Sequence, residues 1–224
     1  MNVFEHLYQT KGIASQRRYP NDALIGFLAG MYSRLPHAER QHIRVLELGC
    51  GSGANLWYVA KEGFAAYGID FAPSGVELCK QVLQQWQVEA QVQVADMTAL
   101  PFADGQFDVI FDVVSMQHLT VAQHQLTFRE IQRCLKPTGW FFSYHLAHNP
   151  EIAAAATMLD EFTVQDIPAG FPLAGNGQTC LISLERWQAM LEHAGFQHIS
   201  LETVRRSYQQ RQFHLDYLIS AAQR

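Results

Sequence analysis

The chain has 224 residues, 48% of them hydrophobic, which is enough to bury one sizeable core within a single domain. Its net charge of −5, with lysines and arginines spread along the chain, argues against a nucleic-acid-binding protein, since such proteins usually carry a clustered basic face. The four cysteines lie far apart and form no Cys-x-x-Cys pair, so reduced thiols are expected. We find no apolar core typical of a signal peptide and no run approaching the ~20 apolar residues of a membrane span. A cytoplasmic protein without membrane association is therefore expected.

Short apolar runs alternate with helical patterns between residues 43 and 146. The apolar runs predict five strands, at 43–48, 65–70, 90–96, 107–115 and 139–146. Helical periodicity predicts helices between these strands, over 54–63, from Pro73 to about Trp86, and over 123–136. This alternation predicts right-handed crossovers and a parallel sheet with helices on both faces.

The C-terminal part of the chain has a different pattern. Glycines and prolines within 163–180 predict an irregular excursion, and a serine-capped helix is expected over 183–196. Two strands, 197–206 and 211–222, follow with only a short polar link, too short for a parallel crossover. The fold class expected is α/β, with a seven-stranded, mostly parallel sheet that has one antiparallel strand near its edge.

The stretch VLELGCGSGANL, residues 45–56, places an acid and three alternating glycines after the first predicted strand. Ligands of open α/β sheets bind beyond the carboxyl ends of the strands, where this loop is expected. Gly49-x-Gly51-x-x-Ala54, with Asp70 about 20 residues on, also satisfies the dinucleotide fingerprint, so spacing alone leaves two cofactors open. The Glu47 carboxylate would repel a pyrophosphate and attract an ammonium group, which favours a cationic ligand.

Four segments in order carry a resemblance to a known family. VLELGCGSGAN, YGID, VADMTALPFADGQFDVIFDVVSMQHL and LKPTGWFFSYH resemble successive motifs of the class I S-adenosylmethionine-dependent methyltransferases, which have a Rossmann-like fold. The resemblance implies S-adenosyl-L-methionine as cofactor and S-adenosyl-L-homocysteine as product. It implies that Glu47 meets the amino group, that Asp70 holds the ribose hydroxyls, and that Asp96 and Met97 meet the adenine.

Further cofactor contacts are expected from the glycine loop, from positions after the second and fourth strands, and from a lid preceding the first strand. These residues are Gly49, Cys50, Gly51, Gly53, Asn55, Phe71, Ser74, Asp112, Val113 and Tyr19, with Tyr8 and Arg18 as other candidate lid residues. Asp96 has an alternative role as a cap of the loop that follows it. The single domain, 1–224, then divides into a helical lid (1–40), a cofactor-binding core (41–146), an acceptor-side insertion (147–182), and a C-terminal helix with an antiparallel strand pair (183–224).

Methyl transfer is an in-line displacement, so alignment of the reactants and exclusion of water supply most of the acceleration. For an acceptor hydroxyl or amine that needs a base, we expect His118, after the fourth strand, or His145, at the end of the fifth strand, with packing as the alternative role. Both are expected on the acceptor side, and His145 is preferred because it leads into the acceptor-side insertion. A metal site at His145-x-x-His148 lacks convincing spacing, so none is predicted. Apolar residues in the insertion favour a small-molecule acceptor, and a monomer or homodimer is expected. An NAD-linked oxidoreductase and a non-catalytic cofactor-binding regulator stay open as alternatives.

Overall fold

Ten strands form within residues 3–224, the part of the chain that this computed structural model describes. In chain order they are β1 (Arg44–Leu48), β2 (Ala65–Asp70), β3 (Gln91–Val94), β4 (Phe107–Val113), β5 (Leu135–Leu146), β6 (Thr157–Met158), β7 (Thr163–Gln165), β8 (Thr179–Cys180), β9 (Gln197–Tyr208) and β10 (Phe213–Gln223). The α-helices are α1 (Val3–Lys11), α2 (Asp22–Tyr32), α3 (Leu56–Lys61), α4 (Pro73–Trp86), α5 (Val121–Cys134), α6 (Pro150–Ala155) and α7 (Leu184–His193). Short 3-10 helices span Gly12–Ser15, His37–His42 and Met116–His118. The first two residues of the expected lid segment, 1–40, lie outside the described residues.

The main sheet has the strand order β3-β2-β1-β4-β5-β10-β9. Neighbouring strands from β3 to β5 pair in parallel, whereas β10 pairs antiparallel with both β5 and β9. The reversed strand is therefore next to the edge, which confirms the predicted fold class. Leu48 pairs with Ile69 on one side and with Asp112 on the other, so the carboxyl ends of β1, β2 and β4 lie together.

Alternation of side chains along the strands divides the core into two layers. In β1, Val45 packs on the face covered by α2, α3 and α4, whereas Leu46 and Leu48 pack on the face covered by α5 and α7. The same period in β5 sends Phe142, Tyr144 and Leu146 to the first layer and Phe141 to the second. His145 shares the parity of Phe141, so its side chain enters the second layer. None of the helices within residues 3–224 is both long and apolar enough to cross a membrane.

Two predictions about local structure were wrong. Strand β5 begins at Leu135, directly after α5, instead of at residue 139, because Phe107 already pairs with Leu135 before the register shifts. Residues 163–180 are not wholly irregular, since β6, β7 and β8 form a small antiparallel sheet. Its strands are two or three residues long, too short to give a period-2 pattern in the sequence.

Candidate active site

The glycine loop connects β1 to α3 at the carboxyl edge of the sheet. Gly49, Gly51 and Gly53 have φ angles of +66°, +50° and +83°, in the left-handed region that residues with a Cβ rarely adopt. A Cβ at Gly49 would clash with Ser115 Cβ, and one at Gly51 would lie 2.7 Å from the Tyr8 hydroxyl. The loop therefore needs glycines for its conformation and for the close approach of its own neighbours. The backbone N–H of Cys50 donates to Ile69 O at 2.8 Å and ties the loop to β2.

Glu47 is a buried carboxylate with one oxygen left without a partner. Asn55 Nδ2 donates to Glu47 Oε1 at 2.6 Å, while Oε2 has no hydrogen-bond partner and the side chain is 2% exposed. Burial raises the pKa of Glu47 to about 8. Asn55 is fixed from its other side by Arg17 and the Asn21 backbone, each donating to Oδ1 at 3.0 Å. A cationic group placed at Oε2 would satisfy this site.

Asp70 ends β2 and is bonded to the backbone on both sides. Gly51 N donates to Oδ2 at 2.8 Å, and Ala72 N donates to Oδ1 at 2.8 Å. Burial raises the pKa of Asp70, while these two N–H groups act in the opposite direction. Each oxygen keeps a further lone pair for an added donor, because a carboxylate oxygen accepts two hydrogen bonds. Asp70 thus shapes the glycine loop and remains able to hold a ligand.

The residues expected around an adenine lie beside this edge. Phe71 is 42% exposed, and Met97 is buried, with its methyl carbon 3.6 Å from where a Gly49 Cβ would be. Asp96 is exposed, and its Oδ1 accepts from Thr98 N and Thr98 Oγ1, each at 2.8 Å. Asp96 therefore caps the loop after β3, which was its alternative role, and its second oxygen remains available.

Helix α1 lies across the loop and the start of α4. Ser74 Oγ donates to Glu5 Oε1 at 2.6 Å and Ser74 N donates to Glu5 Oε2 at 3.1 Å, which lowers the pKa of Glu5 and caps α4 from outside. Phe4 contacts both Phe71 and His118, with ring centroids 6.5 Å and 4.6 Å apart. Sequence reasoning missed Phe4 and Glu5. Their spacing to Tyr8, at i+4 and i+3, was the signal that could have shown a helix face.

Tyr19 has surroundings different from those expected. Tyr19 is 65% exposed and packs edge-on against Trp57 and Trp86, so the structure does not bring it to Asp70 or Glu47. Tyr8 occupies the expected lid position instead, with its hydroxyl over Gly51.

Asp112 is fully buried within the chain's own hydrogen bonds. Ser115 N and Met116 N donate to its Oδ1 at 2.9 and 2.8 Å, and Ser143 Oγ donates to Oδ2 at 3.2 Å. Burial raises the pKa of Asp112 to about 6. The residue holds the turn after β4, and its buried neighbour Val113 packs in the first core layer.

His118 lies beneath α1, next to the insertion. Its Nδ1 lies 2.8 Å from Gln178 O, and because a carbonyl oxygen only accepts, Nδ1 carries the ring hydrogen. Nε2 then has the lone pair, 3.3 Å from Gln117 Nε2. Burial lowers the pKa of His118 to about 4, so the imidazole is neutral near pH 7. A neutral, part-buried imidazole can accept a proton.

His145 does not face the carboxyl edge, and the expectation that it leads into the acceptor space was wrong in its geometry. The ring is 0% exposed, with Nε2 3.2 Å from His124 Nε2 and its centroid 4.6 Å from that of Trp187. The cause is the parity of β5, which directs residue 145 between α5 and α7. His148 does not join it, since its Nδ1 contacts Leu181 O at 3.3 Å.

Comparison with known proteins gives matches along the middle of the chain. A family model described as a methyltransferase domain matches residues 45–139. A sterol 4-C-methyltransferase of Caenorhabditis elegans is 29% identical over 108 residues, covering 47% of this chain and 32% of that protein. The 27-O-demethylrifamycin SV methyltransferase of Amycolatopsis mediterranei is 28% identical over 171 residues, covering 72% and 56%. The alignments thus span only a third to just over half of these relatives.

Solved structures share the fold. A phosphoethanolamine N-methyltransferase of Haemonchus contortus, in complex with S-adenosylhomocysteine, has a TM-score of 0.71 at 16% identity, covering 100% of this chain and 60% of that one. The cyclase SpnF has a TM-score of 0.67 at 18% identity, covering 100% and 97%. The strand order, the glycine loop with its two acids, and the methyltransferase-domain match over residues 45–139 agree with one another, and they support the class I S-adenosylmethionine-dependent methyltransferase superfamily as the family that this chain resembles.

Proposed function

We propose that this protein transfers the methyl group of S-adenosylmethionine to the oxygen or nitrogen of a small molecule. The observation that carries the proposal is the unpartnered Oε2 of Glu47, buried beside the glycine loop. A buried polar atom without a partner costs roughly 1–3 kcal/mol, and the ammonium group of the cofactor would remove that cost. A pyrophosphate at the same place would add a repulsion to it.

The positions of the residues around the loop support the other cofactor contacts that we propose. The bound cofactor supplies an electrophilic methyl on sulfur. The loop backbone from Gly49 to Gly53 would line its methionine part, with Asn55 holding Glu47 in place. Asp70 would accept the ribose hydroxyls through the lone pairs left over from Gly51 and Ala72. The adenine would be surrounded by Phe71, Met97 and the second oxygen of Asp96.

Helix α1 would act as the lid. None of its residues is fully buried, and its contacts to the rest of the chain include the Glu5–Ser74 bonds and the packing of Phe4 and Tyr8. Burial raises the pKa of Tyr8, whose hydroxyl lies near Asp70 and Glu47. A helix held by so few buried groups belongs to the low-stability end of the fold and can withdraw to admit ligands.

The acceptor would lie under α1 and the insertion, segment 147–182. Gln178 bonds His118 twice, since its O accepts from Nδ1 at 2.8 Å and its Nε2 donates to His118 O at 2.5 Å. The insertion also supplies six apolar side chains, of which Ile152 is buried and Met158 and Leu159 are exposed: Ile152, Met158, Leu159, Phe162, Phe171 and Leu173. The relatives named for a sterol and for a rifamycin, and the structural neighbour named for phosphoethanolamine, all act on small molecules.

His118 is the base that we assign to proton removal from the acceptor. Its Nε2 lone pair faces Gln117, whose own Oε1 is buried without a partner. An acceptor hydroxyl or amine could donate to Nε2 in place of the Gln117 amide. The protein would work in the cytoplasm as a monomer or homodimer and would bind no nucleic acid. Of its four segments, 41–146 would bind the cofactor and 147–182 would cover the acceptor.

A second candidate function is a cofactor-binding protein that does not transfer the methyl group. The cyclase neighbour supports it, because that protein has the same fold and is named for a reaction other than methyl transfer. Isothermal titration with S-adenosylmethionine, S-adenosylhomocysteine and NAD tests cofactor choice, and we expect the first two to bind. A screen of hydroxylated and aminated small molecules with radiolabelled methyl donor then tests transfer. Binding of NAD alone would refute the proposal, and cofactor binding with no methylated product across the screen would favour the second candidate.

A further inference from the structure

Three side chains meet in the second core layer, away from the glycine loop. They are His124 of α5, His145 of β5 and Cys180 of β8, each 0% exposed. One ligand atom from each, two imidazole nitrogens and a thiol sulfur, lies within 4.8 Å of the others. Buried side-chain nitrogens in proteins nearly always have a hydrogen-bond partner of the right kind, so the hydrogen bonds of this cluster can be counted.

Counting ring hydrogens shows that a positive group is missing. His124 Nδ1 lies 2.9 Å from Thr120 O, and His145 Nδ1 lies 2.8 Å from Leu146 O. Each Nδ1 must therefore donate, and a neutral imidazole has only one ring hydrogen. Both Nε2 atoms then present lone pairs to each other at 3.2 Å. Two neutral rings hold two hydrogens, whereas the three contacts need three.

We propose that a Zn²⁺ ion binds between His124 Nε2, His145 Nε2 and Cys180 Sγ. With Zn–N bonds of about 2.0–2.1 Å, a tetrahedral ion holds two nitrogens about 3.3–3.4 Å apart, close to the observed separation. Zinc-ligating histidines also typically donate their other ring hydrogen to a carbonyl or carboxylate, as both rings do here. Binding would displace the thiol proton to solvent and leave a thiolate on the metal.

A neighbouring hydroxyl supports a thiolate at this position. Thr163 pairs directly with Cys180 across β7 and β8, and its buried Oγ1 lies close to Cys180 and Asp160 without forming a hydrogen bond of good geometry. A thiolate would accept from that hydroxyl. Asp160 lies close enough to influence the charge of both His124 and Cys180, while Val121, Phe162 and Thr163 backbone N–H groups occupy its oxygens. Its negative charge would offset the charge of the metal without ligating it.

The ion would fasten the insertion to the sheet. Cys180 is two residues from Gln178, which bonds His118 through both its carbonyl and its side chain. A metal that joins α5, β5 and β8 would therefore fix the segment that covers the candidate base. This role does not depend on which acceptor the protein uses.

The full chain tests the proposal after it is unfolded with a chelator and refolded with or without one equivalent of metal. We expect one Zn²⁺ per chain by elemental analysis and a higher melting temperature in the zinc-loaded protein. Co²⁺, used as a spectroscopic probe, should give a sulfur-to-cobalt charge-transfer band. Failure to bind either metal at one per chain, with identical melting of both preparations, would overturn the proposal and leave a shared proton as the missing positive group.

Variants locate the ion. Cys180→Ser should abolish the charge-transfer band, and Thr163→Val should weaken zinc binding roughly 10–100-fold, the usual effect of removing a residue that supports a ligand. Cys134→Ser is the matched control, since Cys134 is equally buried on α5 but outside the cluster, and it should keep the band. Equal loss in the control would refute the assignment. If the variants fail to fold, X-ray absorption of the zinc-loaded wild type identifies the ligands instead. A coordination shell without sulfur would overturn the proposed zinc site.

Discussion

The two halves of the candidate active site are held in different ways. At the ends of β1 and β2, Glu47 bonds Asn55 and Asp70 bonds Gly51, across at most 19 residues of sequence. Asn55 is also held by Arg17 and the Asn21 backbone, which precede β1. At the ends of β4 and β5, His118 depends on Gln178, 60 residues further along the chain. The first half is therefore built by one βαβ unit, whereas the second is complete only when the insertion is in place.

This difference predicts which substitutions change cofactor affinity and which change turnover or the stability of the insertion. Substitutions in the first half should affect cofactor affinity, because the groups that we propose to hold the cofactor are preformed. Substitutions in the second half should affect turnover or the stability of the insertion while leaving cofactor affinity unchanged.

The largest effect is expected from Gly51→Val. Its φ of +50° disfavours any side chain, and the new Cβ would meet the Tyr8 hydroxyl at 2.7 Å, the far end of a flexible side chain. The fold should survive while α1 is displaced and the loop distorted, so cofactor binding should fall below detection in a calorimetric titration.

Gly105→Val is the matched control for Gly51→Val. Gly105 has a similar φ of +63°, but nothing lies within 4 Å of the position that its Cβ would take, so the variant bears the backbone strain without touching the loop. It should bind the cofactor normally. Equal loss of binding in both variants would show that strain, and not the loop, was the cause.

His118→Ala tests the second half once an acceptor is known. If Nε2 takes the acceptor proton, turnover should fall roughly 10²–10⁴-fold with little change in cofactor affinity. His145→Gln should instead lower the melting temperature, with a much smaller change in turnover of the folded protein. A profile of turnover against pH should show an acid limb near the lowered pKa of His118, about 4. Normal turnover of His118→Ala would leave alignment alone as the source of catalysis.

Asp70→Ala should weaken cofactor binding by roughly 2–3 kcal/mol, about 30–150-fold, because a charged acceptor of two hydroxyls is lost. Part of that loss belongs to the loop, since Gly51 N also loses its acceptor. Asp70→Asn separates the two contributions, as it keeps one carbonyl oxygen. The exposed Asp104, paired with Arg133 on the surface, is the control, and Asp104→Ala should bind as wild type does. Unchanged affinity in Asp70→Ala would contradict the ribose assignment.

The sequence allowed the sheet and the first half of the site to be predicted, because their residues lie in consecutive motifs with a clear period. It did not allow the side-chain directions at the end of β5 to be predicted, since one residue of parity decides whether His145 faces the ligand edge or the core. Nor did it show that Tyr8, and not Tyr19, lies over Gly51. That choice depends on how α1 packs against α4, and α1 carries no fully buried residue to reveal it.

The smallest expected effect on cofactor affinity, and the sharpest comparison between the halves, concerns the proton on Glu47. Burial raises the pKa of Glu47 from 4.5 to about 8, against the attraction of Arg17 and with the repulsion of Asp70 and Asp112. The ligand-free folded protein therefore holds a proton here that the unfolded chain releases. This contribution to stability is fully present below pH 4.5 and is lost by up to about 1.4 kcal/mol per pH unit as the pH rises to about 8.

A cationic cofactor favours the charged carboxylate, so its binding at pH 7 should expel up to one proton from Glu47. Affinity should then rise by at most about tenfold per pH unit between pH 6 and 8. Titrations in two buffers of different ionisation enthalpy measure that proton directly. Glu47→Gln keeps an acceptor for Asn55 but cannot ionise, so both the proton release and the slope should disappear, whereas His118→Gln should retain them. Proton release that persists in Glu47→Gln would place the cofactor's ammonium group against a different carboxylate.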